Sequence, residues 1–209
     1  MYFKICGIKE IKTINCCIRN KVKFFGLLFY KKSPRNISLD KASKLISFVK
    51  NKDINPVGVF VNEELDSIIN KIKKLKLRYI QLHGNESNRY IFKLKNTFKV
   101  KIIKSISISS SKDLNKIKKY ADVDYFLFDY KAKRKELPGG NAKSFDWKII
   151  KNLKIKKPWF ISGGINASNI RIIKEFVNPD GIDLSSGVEE IPGVKNNKMI
   201  DALFERYNE

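Results

Sequence analysis

The chain has 209 residues, 43% of them hydrophobic, and 43 Lys and Arg against 21 Asp and Glu give a formal net charge of +22. That length fits one domain with a real core, while Met1-Tyr2-Phe3-Lys4-Ile5 lacks a leader pattern, no apolar run nears the ~18 residues of a membrane helix, and Cys6, Cys16 and Cys17 suit neither a disulfide framework nor a metal site, so a cytoplasmic protein without a membrane partner is expected. Only seven of the basic residues are Arg and the lysines are scattered, as A/T-rich codons for Lys, Ile and Asn would give; a nucleic-acid partner is therefore not expected, though the positive potential would draw in an anionic substrate.

Short apolar runs alternate with amphipathic stretches from the start. Strand Phe3–Cys6 is followed by a helix over Lys9–Asn20, whose stripe is blurred by Asn15, Cys16 and Cys17. Strand Phe24–Phe29 leads, past the start signals Ser38 and Asp40, to a helix carried by Ala42, Leu45, Ile46 and Val49. Strand Val57–Val61 leads through Asn62-Glu63-Glu64 to Leu65, Ile68, Ile69 and Ile72. Strands Tyr79–His83 and Val100–Ile106 follow, and Ser109-Ser110-Ser111 opens the fifth helix. Strands Tyr125–Asp129, Trp159–Ser162 and Ile182–Ser185 complete the set, with Ile200, Leu203 and Phe204 marking the last helix. Strand then helix, eight times, means parallel strands with crossover helices. Eight such units predict a single α/β domain over residues 1–209, a (β/α)8 TIM barrel.

In such a barrel the chemistry sits at the C-terminal strand ends. Strands seven and eight each run into a glycine turn, Ser162-Gly163-Gly164 and Ser185-Ser186-Gly187, and each turn is expected to open a helix. Glycine lets backbone approach a ligand, and N–H groups at a helix start attract anions. Gly163, Gly164, Ser185, Ser186 and Gly187 are thus candidates for a phosphate site, and a small phosphorylated molecule is the expected partner. The other strand ends carry Cys6, Arg35, His83, Asp129 and Asp183. By itself Cys6 reads as a small buried hydrophobe, and Arg35 as a surface charge or a fork for a carboxylate. Asp129 ends an apolar strand, where a lone carboxylate is costly unless satisfied. His83 is the only histidine and invites an acid–base role. Lys4 reads as an internal charge with an acidic neighbour.

Taken in order, these strand ends resemble the phosphoribosylanthranilate isomerases of tryptophan biosynthesis over the whole chain. The matching elements are Lys4-Ile5-Cys6-Gly7, Ser33-Pro34-Arg35, Gln81-Leu82-His83-Gly84, the Leu127–Asp129 strand end with Gly139-Gly140 and Phe145-Asp146-Trp147, Ser162-Gly163-Gly164-Ile165-Asn166, and the run from Asp183 to Glu189 with Pro192-Gly193. The resemblance implies an Amadori rearrangement of a phosphoribosyl aminoaldose to an aminoketose. It places the general base at Cys6, with neighbours stabilising the thiolate, and the general acid at Asp129, kept protonated by burial. It also implies that Arg35 meets the anthranilate carboxylate, that His83 shapes the pocket, and that Asp183 contacts substrate in a role left open. Neither metal nor organic cofactor is implied, and a monomer or homodimer is expected. Two departures are Ala142, where the family usually has glycine, and the loose segment Val194-Lys195-Asn196-Asn197. Indole-glycerol-phosphate synthase, a barrel using Lys and Glu catalysts, fits the Cys6 and Asp129 pair poorly, and the intact strand ends disfavour a decayed, inactive barrel.

Overall fold

Eight parallel strands close on themselves in sequence order in the computed structural model, which describes residues 1–133, 136–151 and 153–209. They are β1 (Tyr2–Cys6), β2 (Phe24–Phe29), β3 (Asn55–Phe60), β4 (Tyr79–Leu82), β5 (Lys101–Ile108), β6 (Tyr125–Tyr130), β7 (Trp159–Ile161) and β8 (Gly181–Leu184). All eight expected strands are present, with ends shifted by one or two residues. The barrel shuts where β1 pairs with β8 in the register Tyr2↔Gly181, Lys4↔Asp183.

Helices α1 (Ile11–Arg19), α2 (Leu39–Phe48), α3 (Leu65–Leu75), α4 (Asn88–Thr97), α5 (Ile170–Phe176) and α6 (Asn197–Asn208) cover the outside. Ser38 caps α2 by accepting from the Lys41 N–H, as its position predicts. Ser87 and Asn196 cap α4 and α6 in the same way. The fifth connection departs from expectation: Ser111–Lys119 is a 3₁₀ segment, not an α-helix. Its half-buried apolar residues are Leu114, Ile117 and Tyr120. They recur every third residue, the period at which 3₁₀ side chains eclipse. Between β6 and β7, among the described residues, only a turn, Trp147–Ile149, is helical, because the Pro138-Gly139-Gly140 stretch before it offers no apolar stripe. A hairpin of β9 (Glu189–Ile191) and β10 (Val194–Lys195), turning at Pro192-Gly193, was not expected from the sequence. No helix among the described residues is long and apolar enough to cross a membrane.

Strand residues point alternately outward and inward. Phe3, Ile5, Phe25, Leu27, Ile80 and Ile102 face the helices in the outer core. Inside lies a separate cluster of Cys6, Phe24, Val57, Val59, Ile103, Leu127 and Phe160. The Phe24 ring packs edge-on against Tyr79 and Phe160, which fills the lower barrel. Buried polar side chains Gln81, Asp129 and Asp183 are left for the upper end. Lys4 is fully buried and does find an acidic neighbour: its Nζ donates to Asp183 Oδ1 over 2.8 Å.

A second buried pair organises the loops after β3 and β4. Lys104 Nζ donates to Glu86 Oε2 (3.1 Å) and to the carbonyls of Leu82 and Gly84, while Glu86 Oε1 accepts from the N–H groups of Asn62 and Gly84. Removing one partner of a buried pair leaves an uncompensated charge. Glu86→Ala should therefore lower stability by about 3–5 kcal/mol, read as a lower urea midpoint at unchanged slope. A loss below about 1 kcal/mol, the range of an exposed pair, would show that the pair holds nothing together.

Candidate active site

Cys6, Arg35, His83, Asp129, Asp183 and Ser185 all line one cavity of about 490 Å³, open mouth included, at the C-terminal end of the barrel. The remaining candidates, Gly163, Gly164, Ser186 and Gly187, line an adjoining hollow of about 220 Å³. The two spaces share Gly140, Ser162, Asp183 and Ser185. Residues scattered over the sequence thus meet at one mouth.

Cys6 ends β1 and points inward opposite Gly26 of β2. A Cβ at position 26 would lie 2.7 Å from the Cys6 sulfur, so glycine there makes the room for the thiol. Four charged side chains around the Cys6 sulfur act on it in opposite directions. Burial pushes the Cys6 thiol above its ordinary value of 9.0, Lys4 pulls it down, Asp183 pushes it up again, and Lys195 and Arg35 pull more weakly. Burial prevails over the three cations. For the Lys4 ammonium burial acts downward, but Asp183 and then Cys6 outweigh it and hold the ammonium above its ordinary value.

Asp129 is 4% exposed near the end of β6. Its Oδ1 accepts from the Tyr130 N–H (2.8 Å), and its Oδ2 lies 3.3 Å from His83 Nε2. On the far side of the imidazole, Gln81 Nε2 is 2.8 Å from Nδ1. A Cβ at Gly139 would approach His83 Nε2 to 3.0 Å and Asp129 Oδ2 to 3.2 Å, so the loop after β6 rests directly on this pair.

Arg35 is buried rather than a surface charge. It forks onto Glu189, with Nε to Oε1 at 2.9 Å and Nη2 to Oε2 at 2.6 Å, and Nη2 also donates to the Gly140 carbonyl. Its Nη1 is turned toward Gly140, where a Cβ would collide with it. Lys195 Nζ donates to the same Glu189 Oε1 (2.6 Å) and to the Ser185 carbonyl (3.1 Å). Burial would raise the Glu189 carboxyl, but Arg35 and Lys195 outweigh it and hold it below the usual range. Glu189, Lys195 and Gln81 are site residues to which sequence reasoning gave no role. Gln81 and Glu189 stood inside matching motifs, while Lys195 lay in the segment that departs from them.

The hollow beside Asp183 is built from backbone. Gly163 and Gly164 take φ of +94° and +64°, the left-handed region that favours glycine. A Cβ at Gly187 would collide with the Ile165 carbonyl, so the loops after β7 and β8 touch backbone to backbone. No Lys or Arg lines this hollow among the described residues. The expected helix starts need correction. After Gly164 come Asn166 and Asn169, whose side chains donate to the Gly164 carbonyl, and α5 begins only at Ile170. After β8 there is just the 3₁₀ turn Ser186–Val188. Ser186 Oγ accepts from the Ala142 N–H, and Ala142 itself sits at φ +55°. Cys16 and Cys17 lie buried on α1, outside both spaces. Burial, with Asp201 adding to it, pushes Cys16 up to about 11, and burial also raises Cys17.

A sequence profile of N-(5'-phosphoribosyl)anthranilate (PRA) isomerase matches residues 3–206. An N-(5'-phosphoribosyl)anthranilate isomerase of Rhizobium etli is 39% identical over 97% of this chain and 91% of its own. One from Paramagnetospirillum magneticum is 34% identical, covering 96% and 94%. Among solved structures, phosphoribosyl anthranilate isomerase from Thermotoga maritima superposes with a TM-score of 0.87 at 29% identity, over 100% of this chain and 98% of that one. A phosphoribosyl anthranilate isomerase in complex with reduced 1-(o-carboxyphenylamino)-1-deoxyribulose 5-phosphate superposes at 0.83 and 28% identity, with the same coverage.

The raised thiol makes a prediction independent of turnover. Iodoacetamide should modify Cys6, the one cysteine lining the cavity, slowly near pH 7. Only the thiolate reacts, so the rate should still be climbing above pH 9, the ordinary thiol value. Peptide mapping across a pH series checks this, and a rate already level by about pH 8 would mean a low thiol pKa.

Proposed function

The chain belongs to the N-(5'-phosphoribosyl)anthranilate isomerase family, and we propose that Cys6 and Asp129 carry out its reaction as general base and general acid. The protein is an isomerase of tryptophan biosynthesis. The observation that carries the assignment is the placement of a thiol and a buried carboxyl in one cavity, next to a hollow lined by glycine and serine backbone. The substrate phosphate sits in that hollow, against Gly163, Gly164 and Ser185 to Gly187. The aromatic ring takes the apolar side of the cavity wall, Leu28, Val59, Val61, Leu137 and Pro138. Arg35 reaches the ring carboxylate through Nη1, since its Nε and Nη2 edge is held by Glu189.

The steps follow from where protons must go. Asp129 gives a proton to the ring oxygen as the C1–O bond breaks and the nitrogen lone pair forms C=N. Cys6, having first lost its own proton to water, then takes the proton from C2 as a thiolate, and the electron pair left behind forms C1=C2 while C=N returns to an amine. The resulting enol becomes the ketone by losing its O–H proton and gaining one at C1. Both catalysts act by proton transfer, so no metal or organic cofactor is assigned. Lys4, kept charged by Asp183, stabilises the thiolate once it forms. We place the enzyme in the cytoplasm, as a monomer or homodimer, with a small phosphorylated substrate.

Asp129→Asn and Cys6→Ala should each cut turnover by roughly 100-fold or more, while affinity for reduced 1-(o-carboxyphenylamino)-1-deoxyribulose 5-phosphate changes little. Cys16→Ala and Cys17→Ala should leave turnover near normal. Steady-state fluorescence assays of substrate loss decide it: near-normal turnover in either active-site variant removes that residue from its role.

The phosphate hollow has its own test. A Cβ at Gly164 would press to 2.9 Å on the backbone of Lys143 and Ser144, and its φ is strained for any other residue. Gly164→Val should weaken binding of the same analogue at least roughly tenfold, the loss of about 1.4 kcal/mol, in calorimetry. Unchanged affinity would move the phosphate elsewhere.

A further inference from the structure

We infer that Gln81 is a positioning residue, fixing the tautomer of His83 so that its Nε2–H points at Asp129. The inference rests on the assignment of Asp129 as the general acid. Gln81 Nε2 lies 2.8 Å from His83 Nδ1, and His83 Nε2 lies 3.3 Å from Asp129 Oδ2. An amide nitrogen only donates. Nδ1 must then accept, and in a neutral ring the proton is left on Nε2.

The cost of keeping Gln81 is visible in its surroundings. Its register partners are Val59 on β3 and Ile103 on β5, both buried and apolar. Gln81 is itself 1% exposed, and its Oε1 is buried without a hydrogen-bond partner. A leucine would fit this layer without an orphaned carbonyl oxygen, whose desolvation is uncompensated. Among the described residues the contact with His83 is the one hydrogen bond of the side chain, and an apolar residue could not make it.

The consequence for Asp129 is chemical. A general acid becomes a carboxylate as its proton leaves, and donors aimed at that carboxylate stabilise the transition state. Asp129 has the Tyr130 N–H on Oδ1, and the inferred tautomer adds a second donor, since His83 Nε2 lies 3.3 Å from Oδ2. The second lone pair of Oδ2 remains for the proton that goes to substrate. With the other tautomer, Nε2 would turn a lone pair toward Oδ2. It would then hold the acid proton in a hydrogen bond and repel the carboxylate as it formed.

His83 is the only histidine in the chain, so a long-range ¹H–¹⁵N spectrum contains one imidazole. The wild-type protein, recorded where the ring is neutral, should show a protonated Nε2 and an unprotonated Nδ1. Gln81→Glu keeps the shape but presents only acceptors as a carboxylate, and should move the proton to Nδ1. Gln81→Leu should lose the fixed tautomer. Both variants should lower kcat at least roughly tenfold, with KM within about threefold, because the interaction lost matters mainly in the transition state. A wild-type ring protonated on Nδ1, or a tautomer indifferent to both substitutions, overturns the inference. So does a shifted tautomer with unchanged kcat. The wild-type spectrum needs no variant to fold. Failure of the underlying assignment is distinguishable, since it shows as retained turnover in Asp129→Asn whatever the spectra report.

Discussion

A fully buried ammonium inside a barrel is tolerable only with its counter-charge in place, and the Lys4–Asp183 pair supplies that condition here. The two residues are register partners on the first and last strands, so the bond that neutralises them also spans the seam where the sheet closes. It lies directly beneath Cys6 and sets much of the electrostatics there. A lysine this deep costs several kcal/mol in desolvation unless paired. The pair ties strands 179 positions apart in the sequence to one another, just below the Cys6 thiol.

Glu189 has the matching role at the rim above. It receives Arg35 from the loop after β2 and Lys195 from β10, while Arg35 also grips Gly140 in the loop after β6. Arg35 and Lys195 thereby share one carboxylate, and Arg35 extends the link to a third segment of the rim. This explains why β9 and β10 exist as a hairpin: they carry Glu189 and Lys195 back over the mouth.

The barrel was legible because buried parallel strands are continuous apolar runs, and runs such as Phe24–Phe29 and Tyr125–Tyr130 need no partner information to recognise. The candidate site was legible where a polar residue or a glycine interrupts such a run, as at Asp129 and Gly163, whereas Cys6 by itself read as a small hydrophobe and stood out only through the resemblance. Pairings over long separations were not. Nothing local in the sequence joins Arg35 to Glu189, or makes Gln81 more than a polar residue in a strand. The raised thiol was hidden for the same reason, since burial depends on every strand around it. The 3₁₀ segment after β5 could have been found, because Leu114, Ile117 and Tyr120 repeat at three rather than 3.6.

Ala142 holds a left-handed backbone that glycine adopts freely, and its N–H reaches Ser186 at the hollow beside Asp183. An alanine there carries about 1–2 kcal/mol of strain. Alanine and glycine codons differ by a single base, so this strain is one mutational step from release. The loop over the mouth is therefore held below its attainable stability, in a form that evolution or an engineer can reverse without touching any side chain that meets the substrate. Stability gained at a single backbone position of this kind leaves every hydrogen bond and contact of the rim in place.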